Sequence, residues 1–150
     1  MNKIYVSEVS LNSLLKSLAD KITKDKLVPN KIVCLAKGGL IPARMLAKYL
    51  GISTIYSIGV VFYTKPGETT DIPHIYQHLS EDFSHTDSIL IVDDICDSGE
   101  SMKVALEEVS NHKGMQIATC TIHYKPKSSY KPNYFAKEVQ NSTWVDYFWE

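Results

Sequence analysis

The chain has 150 residues, of which 44% are hydrophobic, which suits one compact domain with its own core. Its formal net charge is -1, from 16 basic and 17 acidic residues, and this argues against a general nucleic-acid or membrane-surface binder, which needs a basic excess. The three cysteines are scattered (Cys34, Cys96, Cys120), so we expect buried thiols and neither disulfides nor a zinc site. Without a signal-peptide pattern or a long apolar run, the sequence predicts a cytoplasmic protein.

The first third of the chain predicts two amphipathic helices around a buried strand. Ser7 and Glu8 are typical of a helix start. The apolar residues that follow recur at helical spacing and are Leu11, Leu14, Leu15, Leu18 and Ile22. Residues 32–36 form a buried-strand pattern, and a second helix follows with Pro42 in its first turn and Gly51 at its end.

The remaining sequence continues the alternation of strands and helices. Residues 54–63 and 115–124 are rich in β-branched and aromatic residues and predict two more strands. Between them, residues 64–87 show no periodicity, and residues 125–150 break the pattern again. The alternation predicts an α/β fold with a mostly parallel twisted sheet flanked by helices.

Residues 89–101 (ILIVDDICDSGES) contain the groups most indicative of chemistry. An apolar strand ends in Asp93 and Asp94, and a short loop with Asp97 leads into a Ser-Gly-x-Ser turn. The residues behind it, with the helical stripe Met102, Ala105, Leu106 and Val109, predict a helix whose first N–H groups could bind a phosphate. Three carboxylates beside a phosphate require a metal or a polyol between them. An ordinary strand-to-helix turn, with Asp and Ser serving only as caps, is the alternative.

A second strand-to-helix turn, Lys37-Gly38-Gly39, follows the strand over residues 32–36. Two glycines allow backbone N–H groups to approach a ligand closely, and Lys37 supplies a positive charge. Alone, this tripeptide is a weak signal, and a plain tight turn is the favoured interpretation. Beside the acidic loop, it is a candidate anion site.

Together these motifs resemble the type I phosphoribosyltransferases. Residues 89–101 are similar to the family's signature of two acids, two apolar residues, Asp and a Thr/Ser-Gly-x-Thr/Ser turn. Residues 36–43 (AKGGLIPA) resemble its pyrophosphate loop, which often contains a non-proline cis peptide. The resemblance runs from about residue 32 to residue 150. It implies one domain over residues 1–150, with a core over about 1–124, a flexible flap over about 64–87 and a small C-terminal hood over about 125–150.

The resemblance implies a division of roles among the site residues. Asp97 is expected to act as the general base at the imidazole nitrogen of the purine. Asp94, through water, and Glu150 are expected to contact Mg²⁺, the implied cofactor. The expected phosphoribosyl pyrophosphate-binding residues are Lys37, Gly38, Gly39, Asp93, Asp94, Asp97, Ser98, Gly99, Glu100 and Ser101.

The C-terminal region resembles the purine-specific branch, and especially short bacterial xanthine-guanine and hypoxanthine enzymes. Lys125 is expected to face the exocyclic oxygen of the base, Trp144 to stack on the ring, and Val145 to offer backbone groups. Ile95 is expected to line the same purine site. Taken alone, tryptophans near a C-terminus are more often core residues than ligand platforms.

Five positions depart from the family pattern. Phe62 stands where relatives acting on 6-oxopurines often have Ser, and Phe148 stands where the xanthine-guanine enzymes have Pro. Ser98 and Ser101 replace the more usual threonines, although they keep the hydroxyls. Glu100 places an acid inside the expected phosphate loop (residues 97–101, hereafter the phosphate loop), so its side chain is expected to turn outward.

The sequence therefore predicts an enzyme of purine salvage. It would transfer a 5-phosphoribosyl group from phosphoribosyl pyrophosphate to a 6-oxopurine and release pyrophosphate. The resemblance further implies a homodimer or homotetramer, and no nucleic-acid or membrane partner is expected. Two alternatives remain: a non-catalytic regulator that senses phosphoribosyl pyrophosphate or nucleotide, and a flavodoxin-like or receiver-type phosphate-binding domain. The choice among hypoxanthine, guanine and xanthine stays open.

Overall fold

A computed structural model describes residues 2–113 and 116–150 of the chain. Its helices and strands, in chain order, are β1 (Lys3–Val6), α1 (Glu8–Lys24), β2 (Lys31–Ala36), α2 (Leu40–Leu50), β3 (Thr54–Thr64), β4 (Asp71–Gln77), β5 (Ser88–Cys96), α3 (Glu100–Asn111), β6 (Gln116–Tyr124), β7 (Tyr134–Glu138) and β8 (Trp144–Tyr147).

Six strands form the central sheet in the order β4-β3-β2-β5-β6-β7. Among the described strands of this sheet, only β4 runs antiparallel to its neighbour, and the other pairs are parallel. β1 and β8 form a separate parallel pair. The predicted α/β fold with a mostly parallel sheet flanked by helices is confirmed.

The central strands are buried on both faces because their side chains alternate between two apolar layers. On one face, Leu90 and Val92 of β5 pack in a cluster with α1 and α2 residues, such as Leu15 and Leu46. On the other face, residues of β2 and β5 pack against α3. The three cysteines, Cys34, Cys96 and Cys120, are buried free thiols, as predicted. None of the helices in the described ranges is long and apolar enough to cross a membrane.

The start of α1 and the end of α2 follow ordinary capping rules, which explains why the sequence located them well. Ser7 caps α1 by accepting a hydrogen bond from the backbone N–H of Ser10 at 3.2 Å. Gly99, with φ of 87°, precedes α3, and Gly51, with φ of 68°, ends α2. Such left-handed backbone is accessible to glycine at little cost.

Four strands lie where the sequence pattern predicted none. Residues 64–87 were expected to be irregular, and this is wrong for β4, which forms the edge of the sheet against β3. The edge position tolerates Pro73, since a strand with one free side can spare an N–H donor. β1 at the start of the chain, and β7 and β8 in the C-terminal tail, are each five residues or fewer. Strands this short carry little periodicity of their own.

Candidate active site

The candidate site lies at the carboxyl ends of β2 and β5, which are parallel neighbours in the sheet. From β2 the chain continues to β3 on one side, and from β5 to β6 on the other. This divergence opens a crevice at the strand ends, the usual ligand site of an open α/β sheet. The two turns singled out in the sequence are therefore adjacent in space.

The turn after β2 packs directly on the acidic end of β5. The Ala36–Lys37 peptide bond is cis, a possibility that the sequence had left open. A Cβ atom on Gly38 would lie 2.4 Å from Oδ2 of Asp94, and one on Gly39 would lie 2.5 Å from the carbonyl oxygen of Val92. Both positions thus require glycine because the two turns approach too closely for a side chain.

Asp93 and Asp94 form a tightly coupled acidic pair at the end of β5. The backbone N–H of Asp94 donates to Oδ1 of Asp93 at 2.9 Å, and that of Ile95 donates to Oδ1 of Asp94 at 2.6 Å. Burial, and then the charge of Asp94, raises the pKa of Asp93 well above its usual range. Burial also raises the pKa of Asp94, with a smaller contribution from the charge of Glu150. A cation or hydroxyl donors placed beside this pair would stabilise its ionised form.

One cavity of about 600 Å³ collects groups from both turns and from the C-terminus. It is lined by Leu35, Ala36, Lys37, Gly38, Val60, Asp93, Asp94, Ser101, Trp149 and Glu150. The combination of a lysine, three carboxylates and exposed backbone next to a glycine suits a charged, polyhydroxylated ligand.

The C-terminal residues are held at this cavity by Tyr147. Its hydroxyl donates to the carbonyl oxygen of Asp94 at 3.2 Å and lies 2.8 Å from Nδ1 of His123. Trp149 stacks on the ring of Tyr147 with the centroids 4.6 Å apart. The carboxylate of Glu150 accepts a hydrogen bond from the backbone N–H of Tyr147 at 3.2 Å. Glu150 is therefore fixed beside the acidic pair.

The loop between β5 and α3 borders a second cavity of about 210 Å³. Phe62, Asp93, Asp94, Ile95, Cys96, Asp97, Ser98, Gly99, Ser101 and Met102 line it. Its floor is the start of α3, where the first N–H groups of a helix lack intrahelical partners and the helix dipole favours an anion. Asp93, Asp94 and Ser101 line both cavities, so the two share a wall.

Asp97 lies between two lysines of the segment that follows β6. Nζ of Lys125 donates to Oδ2 of Asp97 at 3.0 Å, and Nζ of Lys127 lies 3.1 Å from Oδ1. Partial burial opposes ionisation of Asp97, but the hydrogen bonds and charges of both lysines outweigh it, so the pKa of Asp97 is lowered. The carboxylate is ionised at neutral pH and able to accept a proton.

The predicted purine-side residues divide into two groups. Ile95 lines the second cavity, and Lys125 is only 5% exposed beside Asp97. Trp144 and Val145 lie on β8, paired with Lys3 and Ile4 of β1, and neither lines the two cavities. The Trp144 side chain is 56% exposed, which leaves its ring accessible, whereas Val145 is buried in the core.

The sequence did not single out three residues that the structure brings to the site: Trp149, Lys127 and Tyr147. The double-tryptophan ending was noted, but it did not indicate which ring lines the cavity. Phe62 was noted only as a departure from the family, and it lines the second cavity. Its neighbour Val60 lines the first cavity from the same face of β3, as the two-residue period of a strand requires.

Within residues 2–113 and 116–150, no group of three or more His, Cys, Asp or Glu side chains could hold a metal ion on its own. Mg²⁺ does not need such a group, because it keeps several waters and is commonly bound by one or two carboxylates together with substrate phosphates. Asp94 and Glu150 are oxygen donors on one cavity, and they fit that role.

The chain is similar to proteins of one family along nearly its whole length. The Phosphoribosyl transferase domain family matches residues 8–150. The xanthine-guanine phosphoribosyltransferase of Gluconobacter oxydans is 29% identical over 119 residues, which cover 79% of this chain and 67% of that protein. The enzyme of the same name from Roseobacter denitrificans is 27% identical over 123 residues, with the same two coverages.

Two solved structures have the same fold. The purine phosphoribosyltransferase of Pyrococcus horikoshii is 30% identical, with a TM-score of 0.88 over 100% of this chain and 95% of that one. A hypothetical protein from Neisseria gonorrhoeae with bound ppGpp is 25% identical, with a TM-score of 0.89 over 99% of this chain and 89% of that one.

The fold and the two adjacent turns thus define a nucleotide-metabolising α/β protein of the phosphoribosyltransferase class. The chain belongs to the phosphoribosyl transferase family. The prediction of an enzyme from the purine-specific type I branch is confirmed by the family match and by the similarity to these proteins.

Proposed function

We propose that the chain transfers a 5-phosphoribosyl group from phosphoribosyl pyrophosphate to a 6-oxopurine in the presence of Mg²⁺ and releases pyrophosphate. The observation that carries this proposal is that Lys37, Gly38, Asp93 and Asp94 line one cavity of about 600 Å³. Phosphoribosyl pyrophosphate needs an anion-binding turn for its pyrophosphate. At the same place, it needs carboxylates that bind its ribose hydroxyls and the metal. These four residues meet both needs.

The start of α3 is the site that we propose for the 5′-phosphate. Backbone N–H groups over residues 97–101 and the hydroxyls of Ser98 and Ser101 are the donors for its oxygens. Gly99 brings the backbone close, because its φ of 87° turns the chain sharply before the helix. The phosphate would occupy the second cavity, whose lining includes Ser98, Gly99 and Ser101.

The pyrophosphate is assigned to the turn over Lys37, Gly38 and Gly39. The Lys37 ammonium would balance its charge, and the Gly38 backbone would contact it without steric obstruction. Asp94 lies against Gly38 and is the acid that we assign to the ribose hydroxyls and, through water, to Mg²⁺. Asp93 is its hydrogen-bonded neighbour, and Glu150 offers a further carboxylate for metal. When bound, Mg²⁺ supplies charge neutralisation on the departing pyrophosphate.

In the proposed reaction, a ring nitrogen of the purine forms a bond to the anomeric carbon of the ribose. The bond from that carbon to the pyrophosphate oxygen breaks, and pyrophosphate leaves with the electron pair. The imidazole nitrogen of the purine loses a proton, which Asp97 accepts. The lowered pKa of Asp97 keeps it ionised and available for this step.

Lys125 is the residue that we assign to recognition of the exocyclic oxygen of a 6-oxopurine. Its ammonium group can donate to that oxygen and to Asp97, since a lysine has three N–H donors. Ile95 would contact the ring edge, Trp144 would stack on it, and the Val145 backbone would contact the 2-position. The names of the Gluconobacter and Roseobacter relatives favour xanthine and guanine among the possible bases.

The alternative of a non-catalytic regulator of the same fold is not favoured. A regulator needs no proton acceptor at the base, whereas Asp97 is held ionised by two lysines. A cytoplasmic location and a homodimer or homotetramer remain predictions from the sequence.

The test is incubation of the purified chain with phosphoribosyl pyrophosphate, Mg²⁺ and a panel of purine and pyrimidine bases, with pyrophosphate release as the readout. We expect release with one or more 6-oxopurines and none with pyrimidines. Asp97→Asn is the matched inactive variant, and Asp25→Asn, remote from both cavities, is the control. No release with any base would favour the regulator.

A further inference from the structure

Glu100 is the residue of the phosphate loop that the family pattern explains least, and its contacts lie outside the loop. It does not line the cavity bordered by Ser98, Gly99 and Ser101. It lines a neighbouring groove with Phe62, Thr70, Asp71, Asp97, Ser98 and Lys127. Its carboxylate is 2.9 Å from Nζ of Lys103 and accepts a hydrogen bond from the Ser129 hydroxyl at 2.8 Å.

Ser129 is also bound to the loop through its backbone. Its N–H donates to the carbonyl oxygen of Ser98 at 2.9 Å, and its hydroxyl lies 2.9 Å from the same oxygen. The single hydroxyl proton can serve either Ser98 or Glu100, so Glu100 competes for it as the charged acceptor. Ser129 therefore bridges two successive parts of the phosphate loop.

The segment that contains Ser129 contacts the loop at several points. The Lys125 N–H donates to the carbonyl oxygen of Cys96 at 3.0 Å. A Cβ atom on Gly99 would lie 2.5 Å from the Ser128 hydroxyl and 2.7 Å from the Tyr130 nitrogen. Residues 125–130 and residues 96–100 are thus in direct contact, and at Gly99 there is no room for a side chain between them.

This segment also supplies both lysines that flank Asp97. We propose that Glu100 and Ser129 form a clasp that seats residues 125–130 on the phosphate loop and so positions Lys125 and Lys127 at Asp97. Glu100 and Ser129 are positioning residues, since they act through the lysines. The proposal rests on the proposed function, because the lysines matter only if a base is bound beside Asp97.

The clasp gives a reason for an acid in a loop that binds phosphate. A carboxylate there would weaken phosphate binding if it faced the cavity. The Lys103 ammonium, and then the Ser129 hydroxyl, lowers the pKa of Glu100, so these partners stabilise the charged form outside the cavity. A simpler role for Glu100 is a favourable charge at the start of α3, and this role would not involve Ser129.

Steady-state kinetics on the full chain separates the two roles. Glu100→Ala and Ser129→Ala each remove the clasp. Each should raise KM for the purine about fivefold, the scale of the net contribution of one ordinary hydrogen bond, with a smaller change in KM for phosphoribosyl pyrophosphate. Ser129→Thr keeps the hydroxyl and should restore the wild-type KM. The effect of the double variant should be smaller than the product of the two single effects, because both variants remove the shared Glu100–Ser129 hydrogen bond.

Glu107→Ala is the matched control, since Glu107 is an exposed acid on the same helix. It should leave both KM values unchanged. If Glu100→Ala changes only KM for phosphoribosyl pyrophosphate, and Ser129→Ala changes neither KM, then Glu100 serves only as a helix charge and the clasp is refuted.

Hydrogen exchange of the ligand-free protein provides a readout that does not depend on activity. Glu100→Ala and Ser129→Ala should speed exchange in a peptide spanning residues 126–133, and Glu107→Ala should not. If exchange is faster in Glu100→Ala and Ser129→Ala, and the wild-type chain releases no pyrophosphate with any base, the clasp is supported and the proposed function is rejected. Unchanged exchange together with wild-type turnover would reject the clasp alone.

Discussion

The carboxylate of Asp97 and the ammonium of Lys125 are 3.0 Å apart, and they join the phosphate loop to the segment after β6. Asp97 comes from the loop that we assign to phosphate, and Lys125 from the residues that we assign to the base. The pair therefore lies where the two substrates of the proposed reaction must meet. Lys125 is buried, so the packing around it restricts the position of its side chain.

Asp97→Asn should leave the fold intact and lower kcat by about 10²–10⁴-fold, the usual contribution of a general base. The amide keeps the shape of the side chain but cannot take a proton from the purine. Initial-rate measurements of pyrophosphate release test this, with circular dichroism to verify folding. Turnover near the wild-type rate would remove the proposed role of Asp97.

Lys127→Met should move the acidic limb of the pH profile of kcat/KM to higher pH. Lys125 and Lys127 both lower the pKa of Asp97, so removal of one charge raises that pKa. A base with a lowered pKa is ionised above that pKa and loses activity as the pH falls through it, and in the variant this loss begins at a less acidic pH. Lys131→Met, with its ammonium over the Tyr124 and Phe135 rings, is the control. An unshifted limb would mean that Lys127 does not influence Asp97 during turnover.

Trp144→Ala should raise KM for the purine more than KM for phosphoribosyl pyrophosphate. Stacking of a base on an aromatic ring contributes about 1–3 kcal/mol, which corresponds to a change of roughly five- to 150-fold. Tyr5→Ala is the control, because Tyr5 is an exposed aromatic residue on the partner strand β1. If KM for phosphoribosyl pyrophosphate rises more, the stacking assignment is wrong and Trp149, which lines the first cavity, becomes the better candidate.

The parts of this molecule that local sequence determines were predictable. The acidic loop lies within one stretch of residues 89–101, and its strand, turn and helix are each indicated by neighbouring residues. The glycines of the turn over residues 37–39 were also identified. Only the structure reveals why glycine is needed there, namely the close approach of Asp94 to Gly38. These features follow from contacts close in sequence or from one strand pair.

The features that sequence reasoning missed depend on contacts between distant residues. β1 pairs with β8 across almost the whole chain, so neither strand has a strong signal without the other. β4 contains Pro73 and polar residues, and only its edge position makes it a strand. The Glu100–Ser129 contact spans 29 positions, and hence the sequence alone left Glu100 unexplained.

Removal of divalent cations with EDTA should abolish pyrophosphate release, and added Mg²⁺ should restore it. Glu150→Gln should then increase the Mg²⁺ concentration needed for half-maximal rate, because a neutral amide is a weaker ligand for a hard cation. Glu138→Gln, on β7, is a control with the same chemical change. An unchanged Mg²⁺ dependence would limit Glu150 to its hydrogen bond with the Tyr147 backbone.

Phe62→Ala should raise KM for one or both substrates, because its ring contributes apolar surface to the cavity formed by residues 93–102. Val61→Ala is the matched control, since Val61 is exposed on the opposite face of β3 and lines neither of the two site cavities. Phe62→Ser introduces the residue that relatives acting on 6-oxopurines often have. If the ring serves this chain as a wall for the bound substrates, Phe62→Ser should behave like Phe62→Ala. If KM instead falls with serine and rises with alanine, a hydroxyl at this position is what the substrate requires, and Phe62 marks a real difference in how this chain closes over its ligands.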